Sequence, residues 1–129
     1  MKSDQGRKQS IVEVSDLEVY NLAYRISLEV HAASMILPRY EQYSGLADQM
    51  RRASKGICAN LAEGFGKQSI SKAGFKRFIA MAIGSANEMR VWLSYCKDLG
   101  YLEKDKAQKL SDSYLEIAKM LMGLHKHRT

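Results

Sequence analysis

The sequence predicts an all-α protein, an antiparallel up-down-up-down four-helix bundle. Three observations lead there. The chain of 129 residues has one proline, Pro38, so little interrupts helix. It has almost no alternating runs of β-branched residues, which removes the strand signal. Four segments repeat apolar residues at spacings of three and four, and the links between them are short, which favours antiparallel neighbours.

The first helix is expected over about 17–37. Val19, Ala23, Ile26, Val30, Ala33 and Leu37 form its seam, with Tyr20, Tyr24, Leu28, His31 and Met35 as a second stripe. Pro38 lacks an N–H and clashes with the preceding turn, so it ends the helix. Ser44 is a plausible N-cap for a second helix, over 45–64, on Leu46, Met50, Ala53, Ile57 and Leu61, with Gly64 as its stop. The third, over 71–99, runs on Phe75, Phe78, Ile79, Ala82, Ala86, Met89, Leu93 and Cys96. Ser69 or Ser71 caps its start, and Gly100, with Tyr101 and Leu102 behind it, closes it. The fourth, over 105–125, has a heptad seam of Ala107, Leu110, Tyr114, Ile117, Leu121 and Leu124, flanked by Ser111, Leu115, Ala118 and Met122. The first and fourth helices show apolar arcs wider than one seam needs, so burial against another copy of the chain is expected.

This length and a 46% hydrophobic content fit one domain with a real core, over 15–129. Residues 1–14 are polar and unpatterned and read as a flexible arm. No apolar window approaches a membrane span and no signal-type h-region is present, so a cytoplasmic protein without membrane contact is expected. Cys58 and Cys96 stand apart in helical pattern and read as small buried hydrophobes, not as a disulfide or metal pair.

One stretch invites a sharper reading. NLAEGFGKQS, residues 60–69, resembles a phosphate loop in its two glycines followed by a lysine. A P-loop needs GxxxxGK[ST] between a strand and a helix, because its N–H groups must point at the phosphates. Here Leu61 stands where the first glycine belongs and Gln68 where the hydroxyl belongs, at the C-terminal end of a helix, whose dipole repels anions. Gly64 and Gly66 read better as cap and turn. His31 lies on an apolar stripe, and His125 and His127 are two apart, not four as in a helical zinc pair, so no metal and no cofactor is expected. Asn60, Glu63 and Glu88 read as structural polar groups near the apolar faces, with Arg51 or Arg52 as candidate partners, because a buried charge must be paired. General acid-base work by Glu63 or Glu88 would need a pocket and a second titrating partner, and no enzymatic activity is expected. The small-residue run AIGSA, 82–86, reads as a place where helices approach closely.

The net charge of +6 is local. Between Arg51 and Arg77 there are seven basic residues, Arg51, Arg52, Lys55, Lys67, Lys72, Lys76 and Arg77, against Glu63 alone; the rest of the chain has thirteen of each sign. Arg51 and Lys55, and Lys72 and Lys76, are four apart, so each helix carries a basic stripe, and the two can merge near Lys67. Such an excess suits an anionic partner, with the RNA or DNA phosphate backbone as the natural one; a merely solubilising face is the competing reading. Aromatic residues sit mostly in core registers, which argues against base stacking.

LPRYEQYSGLADQMRRASKGICANLAEGFG followed by FKRFIAMAIGSANEM resembles the small bacterial four-helix-bundle family of proteins encoded in intervening sequences of large-subunit ribosomal RNA genes. That family is similar in turn to the accessory variability determinant (Avd) proteins of diversity-generating retroelements. The match runs from about Leu17 to Leu124. Its most specific residues are Leu46, Gln49, Arg52, Ala53, Asn60, Ala62, Glu63 and Gly64, then Phe78, Ala82, Gly84, Ser85 and Glu88. The resemblance implies a homopentameric barrel of bundles without catalysis and, in the Avd branch, a basic surface for nucleic acid and a reverse transcriptase partner. The family often has a proline where Cys58 stands and an acid where Gly74 stands; without the proline the second helix can run unkinked, and without the acid the segment is more basic. The resulting expectation is a non-enzymatic, oligomeric nucleic-acid-binding accessory protein. The alternative is a protein-interaction scaffold whose basic face docks an acidic partner.

Overall fold

The computed structural model describes residue 14 and residues 17–127, the side chain of His127 excepted, so the expected arm lies outside the described residues but for Val14. Four helices pack antiparallel: α1 (Glu18–Met35), α2 (Leu46–Lys67), α3 (Lys72–Asp98) and α4 (Lys104–His127), with a 3-10 turn at Arg39–Glu41. Among the described residues there is no strand. Each helix packs on the next along the chain, and α4 returns to α1 to close the square, leaving α1 and α3 on a diagonal. The expected seams are the core. All named seam residues of α1, α2 and α3 are buried except Phe78, and in α4 Leu124 alone is half-buried.

Two caps form as expected. Ser71 Oγ accepts from Gly74 N–H (2.9 Å) at the start of α3. At its end Gly100 takes a left-handed φ of 78°, and Tyr101 N–H donates to Cys96 O (2.8 Å), which folds Leu102 into the core.

Two other termini differ from the sequence reading. The cap of α2 is Gly45, not Ser44, which takes a left-handed φ of 61°. A Cβ on Gly45 would lie 2.7 Å from the Glu41 backbone, so only glycine fits. The missing side-chain cap is replaced from outside the helix: Leu46 N–H donates to Glu41 Oε1 (2.9 Å), and Tyr101 O–H donates to Glu41 Oε2 (2.8 Å). At its other end α2 does not stop at Gly64 but runs one further turn to Lys67. Phe65 is the reason, since only continued helix turns its ring inward, edge-on to Phe75 at 5.3 Å. Gly64 is buried between α2 and α3, and a Cβ there would meet Phe78 Cβ at 3.3 Å and Ile79 Cδ1 at 3.4 Å.

Asn60, Glu63 and Glu88 are not buried contacts within one chain. Both carboxylates are exposed and Asn60 is half-buried. The helical period explains it: Leu61, Gly64 and Phe65 take the inward positions of α2, which turns residue 63 out. The wide arc of α1 is real, with Tyr24, Leu28 and Met35 exposed, whereas on α4 Ala118 is buried, Leu115 half-buried and Met122 alone open. The helix α3 carries an outward apolar stripe that sequence reading passed over: Met81, Val91, Tyr95 and Leu99.

Candidate nucleic-acid interface

The seven basic residues do not form one cluster. Arg51 and Lys67 are on the same helix, sixteen residues and therefore about 24 Å apart, so the stripes of α2 and α3 cannot merge as expected. The structure divides them into a group beside α1 and a group at the α2–α3 turn.

In the first group, Arg51 and Arg52 take different roles. Arg51 is half-buried, and its guanidinium ties three segments together. Nη1 donates to Ser34 Oγ (2.8 Å) and Gln42 Oε1 (3.1 Å), and Nη2 donates to Gln42 O (3.0 Å). Neighbouring positions on a helix point about 100° apart, so Arg52 is exposed, pairing with Asp48 one turn back (3.1 Å). Lys55 Nζ donates to His31 Nδ1 (3.0 Å) across the α1–α2 interface. Neither arginine binds Glu63 or Glu88.

The second group gathers at one end of the bundle. Lys67 O accepts from Ile70 N–H (2.9 Å) and Ser71 N–H (2.8 Å), so only four residues separate the end of α2 from the start of α3. This brings Lys67 against the first turn of α3: a Cβ on Gly74 would be 3.6 Å from Lys67 Cβ. Lys72 and Arg77 are exposed and Lys76 is half-buried, and the Arg77 guanidinium rests 5.3 Å from the centre of the Phe78 ring. Between Glu63 and Glu88 every charged residue is basic. Gly64 to Lys67 are helical, so their N–H groups are directed along the α2 ladder and form no phosphate cradle. The positive end of the α3 dipole, unlike the end of α2, reinforces this cluster.

Outside this end the chemistry is sparse. Burial pushes the Cys58 thiol up to about 11, and burial with the nearby Glu41 charge does the same for Cys96, so neither is a thiolate near neutral pH. Among the described residues no three His, Cys, Asp or Glu side chains converge on a metal-sized site. A groove of about 830 Å³ between α1 and α4 is lined by charges of both signs, among them Arg25, Glu29, Asp105 and Lys109. Among the described residues no helix is long and apolar enough to cross a membrane.

These features define a small antiparallel four-helix bundle with an acid-free basic turn at one end. Residues 15–123 match the family model of the 23S rRNA-intervening sequence protein, and the chain belongs to that family. Among solved structures it is similar to a protein of unknown function from the S23 ribosomal protein family of Bacteroides thetaiotaomicron. That similarity has a TM-score of 0.75 at 21% identity, covers 89% of this chain and 99% of the other, and concerns the fold alone. No curated protein matches.

Proposed function

We propose that the protein is a non-enzymatic, self-associating accessory protein that binds the phosphate backbone of RNA or DNA through the α2–α3 end. The observation that supports this reading is the convergence of Lys67, Lys72, Lys76 and Arg77 on one turn with no acid between Glu63 and Glu88. A local excess of this kind is the electrostatic footprint of a polyanion. The exposed apolar stripes on α1 and α3 support self-association, for which a homopentamer is the expected form. In a retroelement setting a reverse transcriptase would be its protein partner, and a gene for one beside this gene would favour that branch.

Anisotropy titrations with structured RNA and duplex DNA over a range of salt test the binding. Affinity should fall steeply with salt, as counterion release requires. Reversing Lys67, Lys72, Lys76 and Arg77 to glutamate should reduce it at least about 100-fold, since several phosphate contacts are lost together. Arg51→Ala, in contrast, should leave affinity unchanged and lower stability by about 1 to 2 kcal/mol, because its hydrogen bonds are internal. Absence of binding at low salt would overturn the reading and leave the interaction scaffold in its place.

A further inference from the structure

Two exposed apolar stripes lie on the diagonal helices, on opposite sides of the bundle. On α3, Met81, Gly84, Glu88, Val91 and Tyr95 follow each other at spacings of three and four, the pattern of a helix-packing seam. Four of the five are exposed apolar or acidic side chains, and the fifth is a glycine with open space around it. A glycine inside a helix costs about 1 kcal/mol relative to alanine, and nothing among the described residues approaches Gly84 closely enough to need it. The opposite side presents Tyr24, Leu28 and Met35 of α1 around the His31–Lys55 pair, with Arg52 beside it on α2.

The two stripes match in height along the bundle. A Cβ on Gly56 of α2 would be 3.5 Å from Ser85 Oγ of α3, and Lys55, next to Gly56, is joined to His31 of α1. Because α2 and α3 are antiparallel, moving one turn from Ser85 to Glu88 moves in the same direction as going from Gly56 to Arg52. Glu88, in the middle of one apolar face, is therefore level with Lys55 and Arg52, in the middle of the other.

We propose that the outer stripe of α3 packs on the α1–α2 face of a second copy with the bundle axes parallel, Glu88 pairing with Lys55 and Arg52 of that copy. Copies related by rotation about an axis parallel to the bundles have no relative rise, so groups at equal height meet. Such a head-to-tail contact uses two different patches and closes into a ring when the rotation permits. It also assigns the exposed acid an opposite charge in a partly dry setting, where pairing matters most. The proposal rests on the self-association reading above and names its contact. It removes Lys55 and Arg52 from the phosphate contacts.

Light scattering after size exclusion tests it, with circular dichroism to confirm folding. The wild type should elute as a multimer of the 14.6 kDa chain. Glu88→Lys and Lys55→Glu should each weaken association at least tenfold while remaining helical, and the charge-swapped double variant should regain it. Gly84→Leu should dissociate the assembly through bulk alone, leaving a folded monomer, because its position is open within one chain. A wild type that is monomeric at all concentrations would overturn self-association itself. A multimer that survives Glu88→Lys and Gly84→Leu, or singles that dissociate without rescue by the swap, would overturn this contact and leave self-association standing.

Discussion

Gly64→Val is expected to lower the unfolding free energy by about 3 kcal/mol, the upper part of the overpacking range. Even the first added carbon would stand 3.3 Å from Phe78 Cβ and 3.5 Å from the Phe75 carbonyl oxygen, and the two methyls of valine would extend beyond it. The backbone oxygen cannot rotate away, so α2 and α3 must separate, loosening the Phe65–Phe75 contact one residue on. Helix propensity runs slightly the other way, since glycine is the poorer helix former. Gly64→Ala is the control, with a much smaller effect, because its one carbon needs a shift of only a few tenths of an ångström from Phe78. Urea and thermal unfolding followed by circular dichroism measure both variants, with a fall in melting temperature of about 10 °C expected for valine. A valine variant within 1 kcal/mol of wild type would mean that the helices are not in close contact there.

Tyr114→Phe is expected to stabilise the fold by about 1 to 2 kcal/mol, an effect of opposite sign at a core position. The Tyr114 ring is fully buried, and its hydroxyl has no hydrogen-bond partner among the described residues. A buried hydroxyl without a partner has lost water and gained nothing. Burial first, and then the negative potential of Cys58 and Glu29, push the phenol above its ordinary range. The sign follows from linkage. A group whose folded-state pKa is raised contributes stability that is fully present below the unfolded value, about 10 for tyrosine. That contribution is lost as pH rises through and beyond it. Wild-type stability should therefore fall as pH rises above about 9, first through the buried Cys58 and Cys96 thiols and then through Tyr114, and Tyr114→Phe should fall less steeply above pH 10. Some decline will remain, because hydrogen bonds to Tyr40 and Glu41 raise Tyr101 as well. Denaturant unfolding from pH 7 to 11 on both proteins checks this. A phenylalanine variant less stable than wild type at neutral pH would show that the hydroxyl has a partner.

Much of the fold could be read from spacing alone, because the core of a bundle is a one-dimensional pattern repeated four times. Val19 to Leu37 and Ala107 to Leu121 are buried as their periods require, and the Ser71 and Gly100 caps depend on residues within a turn of each other. Gly64 could not be read, because a glycine that stops a helix and one that admits a neighbouring helix look alike until the neighbour is placed. Glu41 escaped for a related reason. Its two partners are Leu46, across a non-helical corner, and Tyr101, sixty residues away. The basic residues were recognised but wrongly assembled, since closeness in sequence along α2 becomes distance along a rod. Arg51 and Arg52 were separable only by knowing which side of α2 faces Ser34 and Gln42.

An even number of alternating helices brings the start of α1 and the end of α4 to the same end of the bundle as the α2–α3 turn. A group placed at the start of α1 or at the end of α4 is therefore carried to the same end as Lys67, Lys72, Lys76 and Arg77. A polyhistidine or acidic affinity handle would compete with, or imitate, the ligand being measured, and should be cleaved before any titration. A fluorophore or surface tether belongs instead at the opposite end, where the exposed Tyr43 of the α1–α2 corner offers an attachment point far from the charge.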